Sequence, residues 1–427
     1  MPTFPSPVIL VPGIKGSTLR DEYPTTPETV WSLAQAVMSA YDRITLHPYN
    51  VHYEAREPAR VVRDQVFSAF YSEFIEELRH NLTMQPENPV PVFPFAYDWR
   101  QPLAAVQLQL EAFIEEVIAR TSLLPHYNKD GFNTTTGKVS LIGHSMGGLI
   151  IAGHLAGEGW NRVDRVATIA SPFRGSLEAV ALTTTGTSTL TTGGSREREA
   201  ARVTPALYHL LPSFDGCVDD EPDEVLFDAT KWQTTILQTL DLFIQQNKLP
   251  NAPPLTSQDL LSGMLSQAKA HRDSLEGLKV PDPARWLCIA GLDSDTRVEM
   301  SITTDDNGQI RFLVGDAENQ FQNGRTPGKR SRTGDGTVPY LGAQCGFIPK
   351  EQMICVTPDD YEFFEIKDKL FNKAVGLHAN LPNMNLVQRL VISHLLQRQQ
   401  GTLGGCPGPD VSDGDWNPPF PKNWLKG

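Results

Sequence analysis

The residue pattern predicts an α/β fold: a mostly parallel sheet with helices on both faces, interrupted by a mainly helical insertion. Three observations support it. Short apolar runs at Val8–Val11, Pro89–Phe95, Val139–Ile142 and Val163–Ala170 alternate with segments of helical periodicity. The alternation stops near Thr183, and only helical stripes follow to about Lys279. Sheet character returns at Arg285-Trp-Leu-Cys-Ile-Ala-Gly291.

Taken in order, the first strand breaks into a Gly/Pro loop in which Gly13 and Gly16 let the backbone turn. The stretch 21–63 is mixed; Trp31 reads as exposed and Glu28–Ser39 as a short helix. Tyr71–Leu82 carries a helical face of Phe74, Ile75 and Leu78, and Leu103–Ile118 repeats apolar residues every three and four positions. Pro125–Gly137 reads as a polar loop and Leu149–Ala156 as a helix. Leu182–Arg196 is rich in Thr, Gly and Ser and is expected to be mobile. Ile236, Leu237, Leu240, Phe243 and Ile244 form one stripe, and Leu260, Leu261, Met264 and Leu265 another. Such stripes either pack on a core or present a lid over a site, and the pattern leaves both open. Beyond Gly291, Asp305-Asp-Asn-Gly308 marks a hairpin, Met353–Val356 a short strand and Asn385–Gln397 a helix. The expected organisation is a core over 1–182 with an excursion at 21–65, a cap insertion over 183–283, a second core part over 284–400 and an irregular tail over 401–427.

Composition limits the function classes. The 427 residues carry a net charge of −13, which argues against a nucleic-acid partner and gives no attraction to anionic lipid. Any membrane contact is then transient and made through apolar loops. Five cysteines (Cys217, Cys288, Cys345, Cys355, Cys406) lack metal-ligand spacing and read as free thiols. The N-terminus has no basic segment and no long apolar run, so a chain without a classical signal peptide is expected, cytoplasmic or otherwise soluble.

The chemistry centres on Gly143-His-Ser-Met-Gly147, a G-x-S-x-G pattern between a predicted strand and a predicted helix. A tight strand-to-helix turn lifts the Ser145 hydroxyl clear of the sheet, and the helix N-terminus behind it favours developing negative charge. The pattern alone is weak; its partners decide. In this architecture the acid and the base follow the serine in the chain. His378 lies in a loop ahead of the last helix, whereas His394 sits inside that helix's apolar stripe, so His378 is the better base. Asp335, between two glycines, is suited to presenting a carboxylate from a tight turn, although an ordinary Asp-Gly turn reads the same in isolation.

Four stretches together resemble the lecithin:cholesterol acyltransferase family of α/β-hydrolases: Val8 to Leu19, Tyr97-Asp98-Trp99-Arg100, Gly143 to Gly148 and Gly334 to Pro339, with His378 following. The resemblance implies the α/β-hydrolase fold and a triad of Ser145, Asp335 and His378. It also implies an oxyanion hole from the amides of Ile14 and Met146. Lipid esters are the implied substrates, with water or an alcohol as acceptor and no metal or organic cofactor. Asp98 and Arg100 read as a structural ion pair near the site, with Trp99 packed beside them. Trp31 falls where the family contacts lipid, and Phe243 and Ile244 are candidate substrate-binding residues of the cap. Unlike the family's secreted animal members, the chain has no cysteine before Cys217, so their N-terminal disulfide loop cannot form. A lipase or phospholipase A, an acyltransferase and an inactive binding module are the three readings carried forward.

Overall fold

The computed structural model describes residues 4–32, 35, 41, 43–56, 58–157, 159–186, 194–314, 330–349, 353–361, 365, 376–398 and 406–407. Nine strands position the site: β1 (Val8–Val11), β2 (Ser17–Asp21), β3 (Glu28–Trp31), β4 (Val61–Val66), β5 (Val92–Pro94), β6 (Val139–His144), β7 (Val163–Ile169), β8 (Trp286–Gly291) and β9 (Met353–Val356). The main sheet has the order β5-β1-β6-β7-β8-β9, all parallel, and Cys406–Pro407 adds a short antiparallel edge beyond β9. Its central strands are apolar along their whole length because both faces are covered: β1, β6 and β8 have no exposed position.

Strand alternation divides the core. Val8 and Leu10 face a layer containing Phe74 and Leu78 of α1 (Ser68–Leu82) and Val387 and Leu390 of α8 (Asn385–Leu395). Ile9 and Val11 face the opposite layer, with α2 (Leu103–Ser122) and α3 (Met146–Ala156). From β1 the chain goes first to β5 on one side and then to β6 on the other. That reversal opens a crevice beyond the carboxyl ends of β1 and β6, where ligands of open α/β sheets bind.

Between β7 and β8 the chain forms α4 (Leu177–Thr184), α5 (Ser195–Arg202), α6 (Thr234–Gln246) and α7 (Ser257–Glu276). Helix α7 starts at a capping box formed by Thr256 and Asp259 and packs against α3, α6 and the turn Pro205–Tyr208. No helix among the described residues is long and apolar enough to cross a membrane.

Several expectations are corrected. Glu28–Trp31 is a strand of a small antiparallel sheet, β3-β2-β4, and not the start of a helix. Trp31 is buried at 1% exposure, not exposed. The expected loop 125–137 begins with a short helix, Pro125–Lys129, with proline at its first turn. The ends of the stretch expected to be mobile are helical, in α4 and α5, while 187–193 lie outside the described residues. So do 33, 34 and 36–40 and, apart from Cys406–Pro407, the tail 401–427.

Candidate active site

Ser145 occupies the single-residue turn between β6 and α3 with φ 53° and ψ −127°, a left-handed conformation costly for a residue with a Cβ. The surroundings enforce it. The Ser145 amide donates to the carbonyl of Ile169 at 2.9 Å. The first turn of α3 lies so close to β1 that a Cβ on Gly147 would stand 2.2 Å from the Val11 carbonyl oxygen. The second glycine of G-x-S-x-G is therefore a packing requirement.

The structure brings the three separated residues together. His378 Nε2 lies 2.9 Å from Ser145 Oγ, and His378 Nδ1 lies 2.7 Å from Asp335 Oδ2. Asp335 is 1% exposed, and its Oδ1 accepts from the amides of Thr337 at 2.9 Å and Val338 at 2.7 Å. Those two amides hold the carboxylate in one rotamer, so Oδ2 is left for the imidazole. The His378 amide donates to the Asp335 carbonyl at 3.1 Å, which ties the two loops together through the backbone as well. His394, the competing histidine, is buried in the packing of α8, and burial pushes its imidazole down to about 4.

Ile14 and Met146, expected to supply oxyanion donors, flank the serine from two segments. Met146 is the first residue of α3 and so has no intrahelical acceptor for its amide. Ile14 follows Gly13, whose Cα abuts Ser145: a Cβ there would lie 2.9 Å from Ser145 Cβ. The loop carrying Ile14 is braced from behind by the Tyr97–Arg100 segment. Tyr97 Oη donates to the Pro12 carbonyl at 2.9 Å, the Tyr97 amide to Ser17 Oγ at 3.2 Å, and Trp99 Nε1 to the Ser17 carbonyl at 3.2 Å.

Arg100 is fully buried. It makes two bonds to Asp98 (Nε to Oδ1 2.8 Å, Nη2 to Oδ2 2.7 Å), one to Glu54 at 2.9 Å and one to the Ile44 carbonyl at 3.2 Å. The ion pair read from the sequence is thus one side of a triad of charges. Glu54 was not legible, because it lies in a polar segment with no motif. Among the described residues Arg100 makes no hydrogen bond to Ser145, Asp335 or His378, and it acts on the site through the loops it joins.

The three substrate-binding candidates lie elsewhere. Trp31 packs on Trp99 and Tyr41 and donates weakly to the Lys15 carbonyl at 3.4 Å, so it supports the loop of Ile14 from behind. Ile244 is buried in the packing face of α6 with Ile236 and Leu240. Phe243 lines a surface cavity with Tyr41, Arg196 and Thr239, and none of the Ser145, Asp335 and His378 side chains lines it.

Two more residues meet the site. His144, the variable position of G-x-S-x-G, places Nε2 3.0 Å from the His378 carbonyl, and Tyr71 of α1 places Oη 2.8 Å from His144 Nδ1. Burial, reinforced by His378 beside it, pushes the His144 imidazole down to about 3. A hydroxyl on the buried face of α1 was the one sequence signal that could have pointed to Tyr71.

Comparison with known proteins bears on the fold around these residues. Residues 65–255, somewhat less than half of the chain, match the family model described as lecithin:cholesterol acyltransferase. No curated protein sequence matches the chain. Among solved structures, a chain of the Tle4–Tli4 complex aligns over 92% of this chain and 98% of its own, with a TM-score of 0.63 and 15% identity. The mature lipase BlEst2 of Bacillus licheniformis aligns over 92% and 93% at 12% identity, with a TM-score of 0.38. At 15% identity the first likeness is one of fold. The chain therefore has the α/β-hydrolase fold, and over residues 65–255 it is similar to the lecithin:cholesterol acyltransferase family.

Proposed function

We propose that the chain is a serine-dependent hydrolase of carboxylic esters of lipids, of lipase or phospholipase A type, working through an acyl-enzyme. The observation that carries this reading is the alignment of Asp335 Oδ2, His378 Nδ1, His378 Nε2 and Ser145 Oγ at 2.7 and 2.9 Å. His378 takes the Ser145 proton as Oγ attacks the ester carbonyl. Asp335 fixes the tautomer with the proton on Nδ1 and stabilises the imidazolium. The amides of Ile14 and Met146 receive the oxyanion, each contributing about 3 kcal/mol to the barrier reduction. His378 then protonates the leaving alcohol, and water attacks the acyl-enzyme by the same route in reverse.

The insertion over 183–283 serves this reading as a cap. Ala200, Ala201 and Leu207 line a small cavity together with Ile14 and Lys15, so the cap lies directly against the oxyanion loop. Ser145 and His378 are each 7% exposed, which keeps water from the acyl-enzyme until an acceptor enters.

A second reading, acyl transfer from a phospholipid to an alcohol, is favoured by the family match over 65–255. It uses the same steps with an alcohol in place of water. A fluorophosphonate probe tests the shared chemistry: it labels an activated serine, and labelling of wild type but not of Ser145→Ala is expected. Equal labelling of both proteins sinks the reading. Product analysis of a phospholipid incubated with and without a long-chain alcohol then separates free fatty acid from a new ester.

A further inference from the structure

A run of buried hydrogen bonds joins three segments that the proposed chemistry needs in register. The Gly13 amide donates to Tyr71 Oη at 3.0 Å, Tyr71 Oη meets His144 Nδ1 at 2.8 Å, and His144 Nε2 meets the His378 carbonyl at 3.0 Å. The directions follow from the groups. A carbonyl can only accept, so His144 Nε2 carries a proton. The ring is neutral, because burial holds its imidazolium form down to about 3, and Nδ1 is therefore a bare acceptor. Tyr71 must donate its hydroxyl proton to Nδ1, and its oxygen takes the Gly13 N–H. The run has one polarity from Gly13 to His378, and each bond strengthens the next. Tyr71 and His144 are 2% and 4% exposed, so water does not compete for these bonds.

We infer that Tyr71 and His144 are positioning residues that hold the oxyanion loop, through Gly13, and the loop of the base, through the His378 carbonyl, at a fixed separation across Ser145. The inference rests on the serine-hydrolase reading above. Gly13 immediately precedes Ile14, so the bond from its amide to Tyr71 orients the backbone that presents the Ile14 N–H. At the other end, the His378 backbone is gripped twice: its amide by the Asp335 carbonyl at 3.1 Å and its carbonyl by His144 at 3.0 Å. The sequence places Tyr71, His144 and His378 on three separate segments, and neither Tyr71 nor His144 reaches the reacting atoms. Their effect on turnover is therefore geometric. A displacement of the oxyanion loop by about 1 Å is enough to cost on the order of 100-fold in rate.

The test is a cycle of Tyr71→Phe, His144→Leu and the double variant, with His144→Gln, assayed on a short-chain p-nitrophenyl ester and by thermal melt. Each single variant should lower kcat about 10- to 100-fold with KM within about twofold, because the ground-state contacts remain. The double variant should be no slower than the slower single, since both break the same run. Glutamine at 144 can accept from Tyr71 and donate to the His378 carbonyl, and it should recover much of the kcat that leucine loses. If both single variants turn over at the wild-type rate while Ser145→Ala is inactive, the inference is overturned and the hydrolase reading stands. If Ser145→Ala retains turnover, both fall. Should Tyr71→Phe fail to fold, the pair at 144 decides: recovery by glutamine supports positioning, and equal kcat for glutamine and leucine overturns it.

Discussion

The sheet and the inserted helices meet the surroundings of Ser145 in different ways. On the core side every group is fixed by directed bonds between residues far apart in the chain: Ser145 to His378, His378 to Asp335, His144 to His378 and Tyr71 to Gly13. On the side of the inserted helices the loop of Ile14 is met by apolar side chains, Ala200 and Leu207, and by the ion pair Lys15–Glu197. In the seam where α7 lies on the core, both ring nitrogens of His209, Nε2 of His271 and Nε2 of Gln107 find no partner among the described residues. Hydrogen bonds fix distance and angle, whereas apolar contact fixes mainly area. On the reading proposed above, the site is rigid where bonds form and break, and its cover is held by forces that tolerate sliding.

The strongest way to break this comparison is at its rigid end. Ser145→Ala and His378→Ala should each lower esterase kcat by at least about 10⁴-fold. Thermal melts should stay close to wild type, because the positions are held by backbone bonds that alanine keeps. Residual activity in His378→Ala comparable to wild type would remove the base from the proposal, and His394→Ala would be the next variant to assay.

What the sequence revealed follows the same division. The central strands were legible because burial on both faces makes them continuous apolar runs. That Ser145, Asp335 and His378 lie together was legible because motif context and chain order constrain them jointly. The strand Glu28–Trp31 was missed, since four residues with two exposed and two buried give too little alternation to tell from a helix turn. The stripe Ile236, Leu240, Ile244 marked a buried helix face correctly, but periodicity does not say what covers that face, and here it is packing within the cap. The Tyr71–His144 bond joins residues 73 apart, and no local pattern carries such a pairing.

The buried charges around Arg100 give the next largest effect. Arg100→Met leaves Asp98 and Glu54, with side chains 14% and 6% exposed, without their cation. Breaking such a cluster should cost about 3 kcal/mol or more in a denaturant melt. The catalytic constants of the protein that remains folded should change little. A normal melt with lost turnover would instead place Arg100 in the chemistry and blur the line between support and site.

The seam under α7 should answer to pH. Burial, with His271 and Arg272 adding to it, holds His209 well below its ordinary value, and burial with Arg272 beside it holds His271 down to about 4. Both rings are neutral when folded, while the unfolded chain binds protons near pH 6.5. Between those values the unfolded state carries more protons, so stability rises with pH and is lost as pH falls from about 6.5 toward 4, by up to about 1.4 kcal/mol per pH unit for each ring. Melts recorded from pH 7 to pH 5 should steepen in that direction, and His271→Leu should flatten the slope. An unchanged slope would move the acid sensitivity to other groups, His144 and His394 among them.

The smallest effect tests the cover itself. Lys15 Nζ lies 2.8 Å from Glu197 Oε1, joining the oxyanion loop to the first turn of α5 across 182 residues of chain, with side chains 20% and 5% exposed. The ammonium also stands 5.7 Å from the ring centres of Trp31 and Tyr41, so its position is set before the glutamate reaches it. Glu197→Gln keeps the shape and an oxygen acceptor and removes the charge attraction, a change of about 1 kcal/mol for a partly exposed pair. If the cap slides away to admit a long acyl chain, that loss shifts the closed-to-open ratio by a factor of about five. The ratio of kcat/KM for a long-chain over a short-chain ester should then rise severalfold, while the short ester alone is nearly unaffected. If the cap is as fixed as the core, the melt falls by about the same 1 kcal/mol and the ratio stays at its wild-type value. That second outcome would erase the distinction between a rigid site and an adaptable cover, and would make the insertion a permanent wall of the pocket.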